Sequence, residues 1–220
     1  LARLSSARKR FLVEATSRYH ESLSVSPGVE YLATRGLTAE SVRKEVGRFR
    51  LGYVADPLPG HEMYRGMLAI PYLRVAPDGE WSVVSLRFRC IREGCEHPNH
   101  GKYMSMPGDK PRLYNTLELV RNDDTIAICE GEIDAITATI CGVPAIGVAG
   151  VESWQPHFRE PLLGYETVFI LADGDEPGMR FATSVAKELA NAKIIPMPEK
   201  EDVNSTVLAR GKTALLERIK

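Results

Sequence analysis

The alternation that begins after Asp123-Asp124 constrains this chain more than any other feature. Thr125 to Cys129 reads as a short β-branched strand, Ile133 to Ile140 as a helix and Pro144 to Val148 as a second strand. Pro156 to Leu163 reads as helical, Thr167 to Leu171 as a third strand and Met179 to Asn191 as a long amphipathic helix. Ile194-Ile195 makes a fourth strand and Thr213 to Ile219 a closing helix. Strand–helix alternation with short connections implies an α/β fold: a mostly parallel sheet flanked by helices.

Such a sheet focuses chemistry at the carboxyl ends of its strands. Glu130 follows the first of these strands, and Asp173 and Asp175 follow the third, so both groups fall on one edge of the sheet. Gly174 and Gly178 permit sharp backbone conformations around the pair. Carboxylates gathered without cationic partners repel one another. A hard divalent cation, Mg²⁺ or Mn²⁺, accounts for them as a set. Each acid alone also fits a turn or a helix N-cap, Asp175 in particular.

The first half reads differently. Residues 5–23 form an amphipathic helix with Phe11, Ala15, Tyr19 and Leu23 four apart. A break at Ser26-Pro27-Gly28 precedes a short helix through Val29 to Leu32, with Gly36 beyond its end. Thr38 is expected to cap a helix containing Ser41 to Val46. From Phe49 to Phe88 the pattern is that of strands. Met67 to Ile70 is a buried run ended by Pro71, Ala76 to Gly79 a turn, and Trp81 to Phe88 the returning strand of a hairpin. Residues 90–101 form an irregular polar loop.

Charge divides the same way. Residues 1–122 carry 19 Lys and Arg against 13 Asp and Glu, a net +6, whereas 123–220 carry 9 against 16, a net −7. A phosphate-holding first part and a metal-holding second part would produce this asymmetry, as would a chance partition of surface charge. No stretch approaches the roughly 20 apolar residues of a membrane span, and no signal peptide is visible. The four cysteines show no secreted disulfide pattern, which favours a reducing cytoplasmic compartment. The chain starts at Leu1, as a fragment of a longer protein would.

Glu130-Gly131-Glu132-Ile133-Asp134-Ala135 resembles the glutamate motif of Toprim domains, and Leu171 to Gly178 resembles their Asp-x-Asp motif. Glu30 to Thr38 followed by Leu51-Gly52-Tyr53 is similar to the opening of DnaG-type primase cores. Arg65 to Pro71, Arg87-Phe88-Arg89, Gly101 to Ser105, Lys110 to Asn115 and Lys200 to Asn204 resemble later motifs of that family, in order. The likeness runs from about Tyr19 to the C-terminus.

The resemblance implies an α+β N-terminal subdomain, residues 1–122, packed on a Toprim metal-binding catalytic domain, residues 123–220. It implies a nucleotidyltransferase, a DNA-directed RNA polymerase that makes RNA primers on single-stranded DNA from ribonucleoside triphosphates. Glu130, Asp173 and Asp175 would be its principal metal-binding residues, with Asp134 and Asp202 as supporting acids. Arg87, Arg89, Lys102 and Lys110 would hold nucleotide or template phosphates, or else form a solvated strand face. Tyr103 and Tyr114 would stack on bases or pack in the core. A replicative helicase is the implied partner, in a bacterial or phage-infected cytoplasm.

Two departures stand out. Asn204 occupies a position where many relatives have a second acid, which implies weaker metal binding there. Cys90-x4-Cys95-x-His97-x2-His100 is foreign to the family's core. Its two thiols and two imidazoles offer a tetrahedral zinc set, or they are incidental to a polar loop. A Toprim nuclease and a non-catalytic nucleic-acid-binding module are the competing functions. A topoisomerase would need a longer chain.

Overall fold

Ser5 starts the first helix. Its hydroxyl accepts from the Arg8 N–H at 3.1 Å, satisfying one of the donors a helix leaves open, and α1 (Ser6–Leu23) follows. The computed structural model describes residues 4–75, 79–121, 123–150 and 152–220. It divides into two units, Leu1–Asp109 and Lys110–Lys220. The expected turn at Ala76 to Gly79 falls largely outside the described residues.

In the first unit, α1 buries Leu12, Ala15, Thr16 and Tyr19, a face rotated slightly from the expected one because Phe11 is only partly buried. After α2 (Pro27–Thr34) and α3 (Arg43–Gly47) comes an antiparallel sheet. Its order is β1 (Gly52–Tyr53), β2 (Met67–Val75), β3 (Trp81–Cys90) and β4 (Tyr103–Ser105). Leu12, Ala15 and Tyr19 pack with Met67, Ala69, Leu86 and Phe88 in one core. The Tyr64 and Phe88 rings stack with centroids 3.8 Å apart. Gly52 is required here, because a Cβ would lie 2.6 Å from the backbone of Tyr19.

Two expectations are corrected. The strand that Pro71 was expected to end continues through it to Val75, with Pro71 opposite Leu86. The ladder shifts register between Tyr72 and Leu73, and a nearby bulge is where a sheet tolerates a residue without an N–H. Thr38 does not cap the helix: α3 begins at Arg43 after Val42, without a side-chain cap.

The second unit is a four-stranded sheet with every pairing parallel. Its order is β6 (Ala145–Gly147), β5 (Thr125–Cys129), β7 (Thr167–Ala172) and β8 (Ala192–Pro196). Helices α4 (Glu132–Ile140), α5 (Glu176–Ala186), α6 (Val203–Arg210) and α7 (Lys212–Arg218) accompany it. Ile126, Ile128, Ile146, Val168 and Ile170 are fully buried against Phe181, Val185 and Leu189. Near-continuous apolar strands are what burial on both faces demands. Tyr114 bonds to Gly147 in both directions, at 2.8 and 3.2 Å, which ties the segment after Asp109 to the edge strand β6.

Candidate metal centre and basic strand face

The strand order creates a crevice. From β5 the chain moves outward to β6, and from β7 it moves the opposite way to β8. The connections leaving the two central strands therefore diverge, the switch point where open α/β sheets bind ligands. Glu130 stands at the end of β5 and Asp173 at the end of β7, and these strands pair through Cys129 and Leu171. The Asp173 N–H donates to Glu130 Oε1 at 3.4 Å.

Two glycines let these groups approach. A Cβ on Gly178 would lie 2.6 Å from the Asp173 carbonyl oxygen and 2.7 Å from Glu130 Oε1. A Cβ on Gly174 would lie 1.8 Å from the carbonyl oxygen of Pro198, because residues 198–201 clasp the Asp-Gly-Asp turn. The Gly174 N–H donates to Glu201 O at 2.7 Å, and the Lys200 N–H to Gly174 O at 2.8 Å.

The remaining acids are anchored by helix starts. Asp175 caps α5, accepting from the Gly178 N–H at 2.8 Å. Asp202 caps α6 in a reciprocal box with Ser205, accepting its N–H at 2.6 Å. Asp134, in the first turn of α4, accepts the Asn204 N–H at 3.0 Å. Each helix start brings the positive end of its dipole toward the acids, the polarity that suits negative charge.

That help is insufficient at Asp173. Burial, then the charges of Asp134, Glu130, Asp202 and Asp175, push its carboxyl up to about 8. Its Oδ1 is sealed from solvent with no hydrogen-bond partner. Burial also raises Glu130, with Asp173's N–H working against it and Asp175 adding to it. Among the described residues no cation pairs with Glu130, Asp173 or Asp175. An orphaned buried oxygen among hard oxygen donors fits a divalent cation such as Mg²⁺ or Mn²⁺.

The basic residues form a second arrangement. On β3, Arg87 and Arg89 alternate with the core residues Leu86 and Phe88, so both guanidinium groups leave the sheet on the face away from that core. Arg89 pairs with Tyr103 of β4, and Arg87 with Ser105. Arg87 lies over the Tyr103 ring at 5.0 Å, and Arg89 lies over Tyr103 at 4.8 Å and Tyr31 at 5.2 Å. Arg89 also donates to the Tyr103 hydroxyl. Arg89 is buried, Arg87 half-buried and Lys102 exposed. Lys110 is exposed at the start of the second unit.

The loop after β3 gathers its thiols and imidazoles. One donor atom from each of Cys90, Cys95, His97 and His100 lies within 4.8 Å of all the others. No three of the acids, among the described residues, bring carboxylate oxygens as close. Two thiols with two imidazoles are compatible with zinc.

Known proteins resemble the chain in sequence and in fold. The Toprim-like family matches residues 127–207. The gene 57 protein of Mycobacterium phage D29 is 63% identical over 157 residues, 71% of this chain and all of that protein. A DNA primase of Pseudomonas putida is 30% identical over 251 aligned positions, covering 94% of this chain and 37% of that protein. The chain carries a Toprim-like domain and has the fold of DnaG primase catalytic cores. It spans little more than a third of the length of the Pseudomonas putida primase. The DNA primase domain of Pseudomonas aeruginosa has the same fold, with a TM-score of 0.74 at 22% identity over 96% of this chain and 77% of that one. So has the RNA polymerase domain of Mycobacterium tuberculosis primase, solved with a double-stranded DNA oligomer bearing a 6-nucleotide overhang. Its TM-score is 0.71 at 19% identity, covering 96% of this chain and 79% of that one.

Within this fold, Asp134, Glu130, Asp202 and Asp175 lie near enough to Asp173 for their charges to act on its carboxyl. Cys129, whose thiol is pushed up first by burial, also feels Asp134, Asp173, Glu130 and Asp202. Asn204 is more than a missing acid. It is 1% exposed, pins Asp134 through its N–H, and donates from Nδ2 to Thr137 Oγ1 at 2.9 Å. Glu132, also 1% exposed, went unremarked in the sequence, where nothing separates it from an ordinary first-turn acid. Tyr114 is core, at 2% exposure, whereas Tyr103 is the ring between the two arginines.

Proposed function

We propose that this chain is the catalytic core of a primase, a metal-dependent nucleotidyltransferase that makes short RNA primers on single-stranded DNA. The observation that carries the reading is Asp173: a carboxyl held at about 8, with a sealed and unpartnered oxygen, at the switch point of a parallel sheet. A carboxylate so placed is costly unless a cation sits beside it.

The reading divides the chain into a basic part, residues 1–122, and a metal-holding part, residues 123–220. Glu130, Asp173 and Asp175 hold Mg²⁺ or Mn²⁺, with Asp134 and Asp202 in support. Such ions supply activation of an attacking 3′-hydroxyl and neutralisation of phosphate charge. The chain's own residues fix where this happens. Gly178 lets Glu130 and Asp173 meet, Gly174 admits the 198–201 clasp, and Asn204 orients Asp134. Arg87 and Lys102 meet template or nucleotide phosphates, with Lys110 contributing from its own unit. Arg89, being buried, sets the Tyr103 ring. The DNA in the Mycobacterium tuberculosis structure supports a nucleic-acid template here. Ribonucleoside triphosphates, a replicative helicase and the bacterial or phage-infected cytoplasm complete the reading. No helix among the described residues is long and apolar enough to cross a membrane. Zinc, not magnesium, belongs to Cys90, Cys95, His97 and His100, since thiolate and imidazole are softer donors.

One reaction tests it: labelled single-stranded DNA, ribonucleotides and Mg²⁺ or Mn²⁺, resolved by length. Short RNA products made by the wild-type chain and absent with Asp173→Ala support the reading. Shortened template without new RNA assigns the same acids to a nuclease.

A further inference from the structure

The loop joining β3 to β4 has almost nothing apolar to hold it. Between Ile91 and Gly101 the residues that are not exposed are Ile91, Cys95, His97 and His100. A connection of that length costs closure entropy that one isoleucine does not offset. The three inward-facing polar residues, with Cys90 at the end of β3, are instead the four donors gathered within 4.8 Å.

The short Cys95-x-His97 spacing is accommodated by backbone conformation. His97 lies in the left-handed region (φ 57°) and Gly94 does too (φ 65°), so the chain doubles back twice and returns both side chains to one point. A non-glycine residue held there signals a constraint that over-determines it. The individual atoms are assigned by their other partners. His100 Nδ1 faces the Gly101 carbonyl oxygen at 3.0 Å, which fixes the proton on that nitrogen and leaves Nε2, 3.6 Å from Cys95 Sγ, as the lone-pair donor. His97 Nδ1 is sealed from solvent with no hydrogen-bond partner.

We propose that Cys90 Sγ, Cys95 Sγ, His97 Nδ1 and His100 Nε2 close around one Zn²⁺ as a structural site, and that this site positions the basic, aromatic face of β3 and β4 for nucleic acid. The role rests on zinc occupying the Cys/His set. Four protein ligands leave no open position for water, so the site is structural and takes no part in the reaction. Two thiolates and two neutral imidazoles balance the dication, and binding releases the two thiol protons.

The coupling to the basic face is short. Cys90 follows Arg89 directly, and its N–H donates to the Lys102 carbonyl oxygen at 2.9 Å. Gly101 admits no Cβ, which would lie 2.7 Å from the Tyr103 carbonyl oxygen, so the turn out of the loop is tight. Thus the metal ligands Cys90 and His100 bracket the pairing that sets Arg89 against Tyr103 and Arg87 against Ser105. Cys90, His97 and Lys102 also line a cleft of about 670 Å³ together with Tyr31 and Thr34 of α2.

The test uses the full chain, purified without chelators. Elemental analysis is expected to find one zinc per chain, retained by Asp173→Ala and by the ligand-conserving His100→Cys, and lost in Cys95→Ser. Affinity for a labelled single-stranded deoxyoligonucleotide, measured without Mg²⁺, is expected to fall about tenfold when zinc is stripped. Zn²⁺ restores it and Mg²⁺ does not. Arg87→Ala weakens binding by the zinc-loaded chain and adds little once zinc is gone. Circular dichroism of the stripped wild type separates local loosening from unfolding. Absence of zinc overturns the metal site and with it the role. Zinc present, with DNA affinity indifferent to its removal, overturns the role and leaves the metal site standing. Neither result touches the acid centre, which the primer assay reads separately.

Discussion

The acid centre and the basic face hold their charges by opposite means. At the ends of β5 and β7, carboxylates are fixed by backbone: N–H groups of Asp173, Gly178, Asn204 and Ser205 donate to Glu130, Asp175, Asp134 and Asp202. The cost appears on Asp173, through its burial first and then through the charges of its neighbours. On β3 and β4, guanidinium groups rest on the rings of Tyr31 and Tyr103, contacts worth about 0.5–2 kcal/mol each that tolerate small displacements. The difference suits two kinds of ligand. A small ion demands fixed oxygens, whereas a strand of phosphates is met by a field with some play.

Breaking the two regions should therefore give opposite signatures. The largest effect belongs to Asp173→Asn. Primer synthesis is expected to fall at least about a hundredfold, while the metal-free protein gains thermal stability at neutral pH, because an amide is neutral without the proton that Asp173 must take up on folding. A thermal midpoint that falls alongside activity would refute that cost. Next is Gly178→Ala, whose methyl meets Glu130 and Asp173 together. A destabilisation of about 1–3 kcal/mol is expected by chemical denaturation, with activity lost beyond what unfolding explains. Asn204→Asp comes third. The Thr137 hydroxyl already donates to the Ile133 carbonyl oxygen at 2.8 Å, so it has no proton for a new carboxylate, which would also face Asp134. The expected cost is about 1–3 kcal/mol, and a gain in metal affinity without that loss would contradict the pinning role. The smallest effect is Arg87→Ala, with stability nearly unchanged and the salt dependence of single-stranded DNA binding shallower by about one counterion.

pH sharpens the same contrast. Asp173 holds its proton in the folded chain up to about 8, against an ordinary value of 3.8. Between those limits the folded state binds a proton that the unfolded state has lost, so metal-free stability falls as pH rises through this window and levels off above it. Denaturation midpoints measured in chelator across that range should decline, and Mg²⁺ should restore most at the alkaline end. Arginine as a residue type does not titrate in this range, so no such decline is expected for DNA binding.

Much of this was legible because it follows from period and position. Thr125–Cys129 and Thr167–Ala172 are apolar strands, and the acids follow them directly. The resemblance to primase cores then marked which positions along the chain to weigh for a role. Other parts escaped for physical reasons. Helix α5 begins at Glu176, before the expected Met179, because Asp175 caps it and Pro177 suits a first turn. Helix α6 has no counterpart among the sequence expectations, although Asp202 and Ser205 spell its start and Gly211 its end, because Asp202 equally fits an acidic motif. Strand β4 is three residues long and exists by pairing with β3, which no local period announces. Asn204 reads as a deficit in sequence, and only its burial between α6 and α4 reveals a positioning residue.

The most direct test of the central claim is Mn²⁺ binding followed by electron paramagnetic resonance, comparing wild type with Asp173→Asn and Cys95→Ser near pH 8. The account predicts saturable binding in the wild type and in Cys95→Ser, and its loss in Asp173→Asn. Equal Mn²⁺ binding by a folded Asp173→Asn chain would contradict the assignment of the metal centre to the ends of β5 and β7.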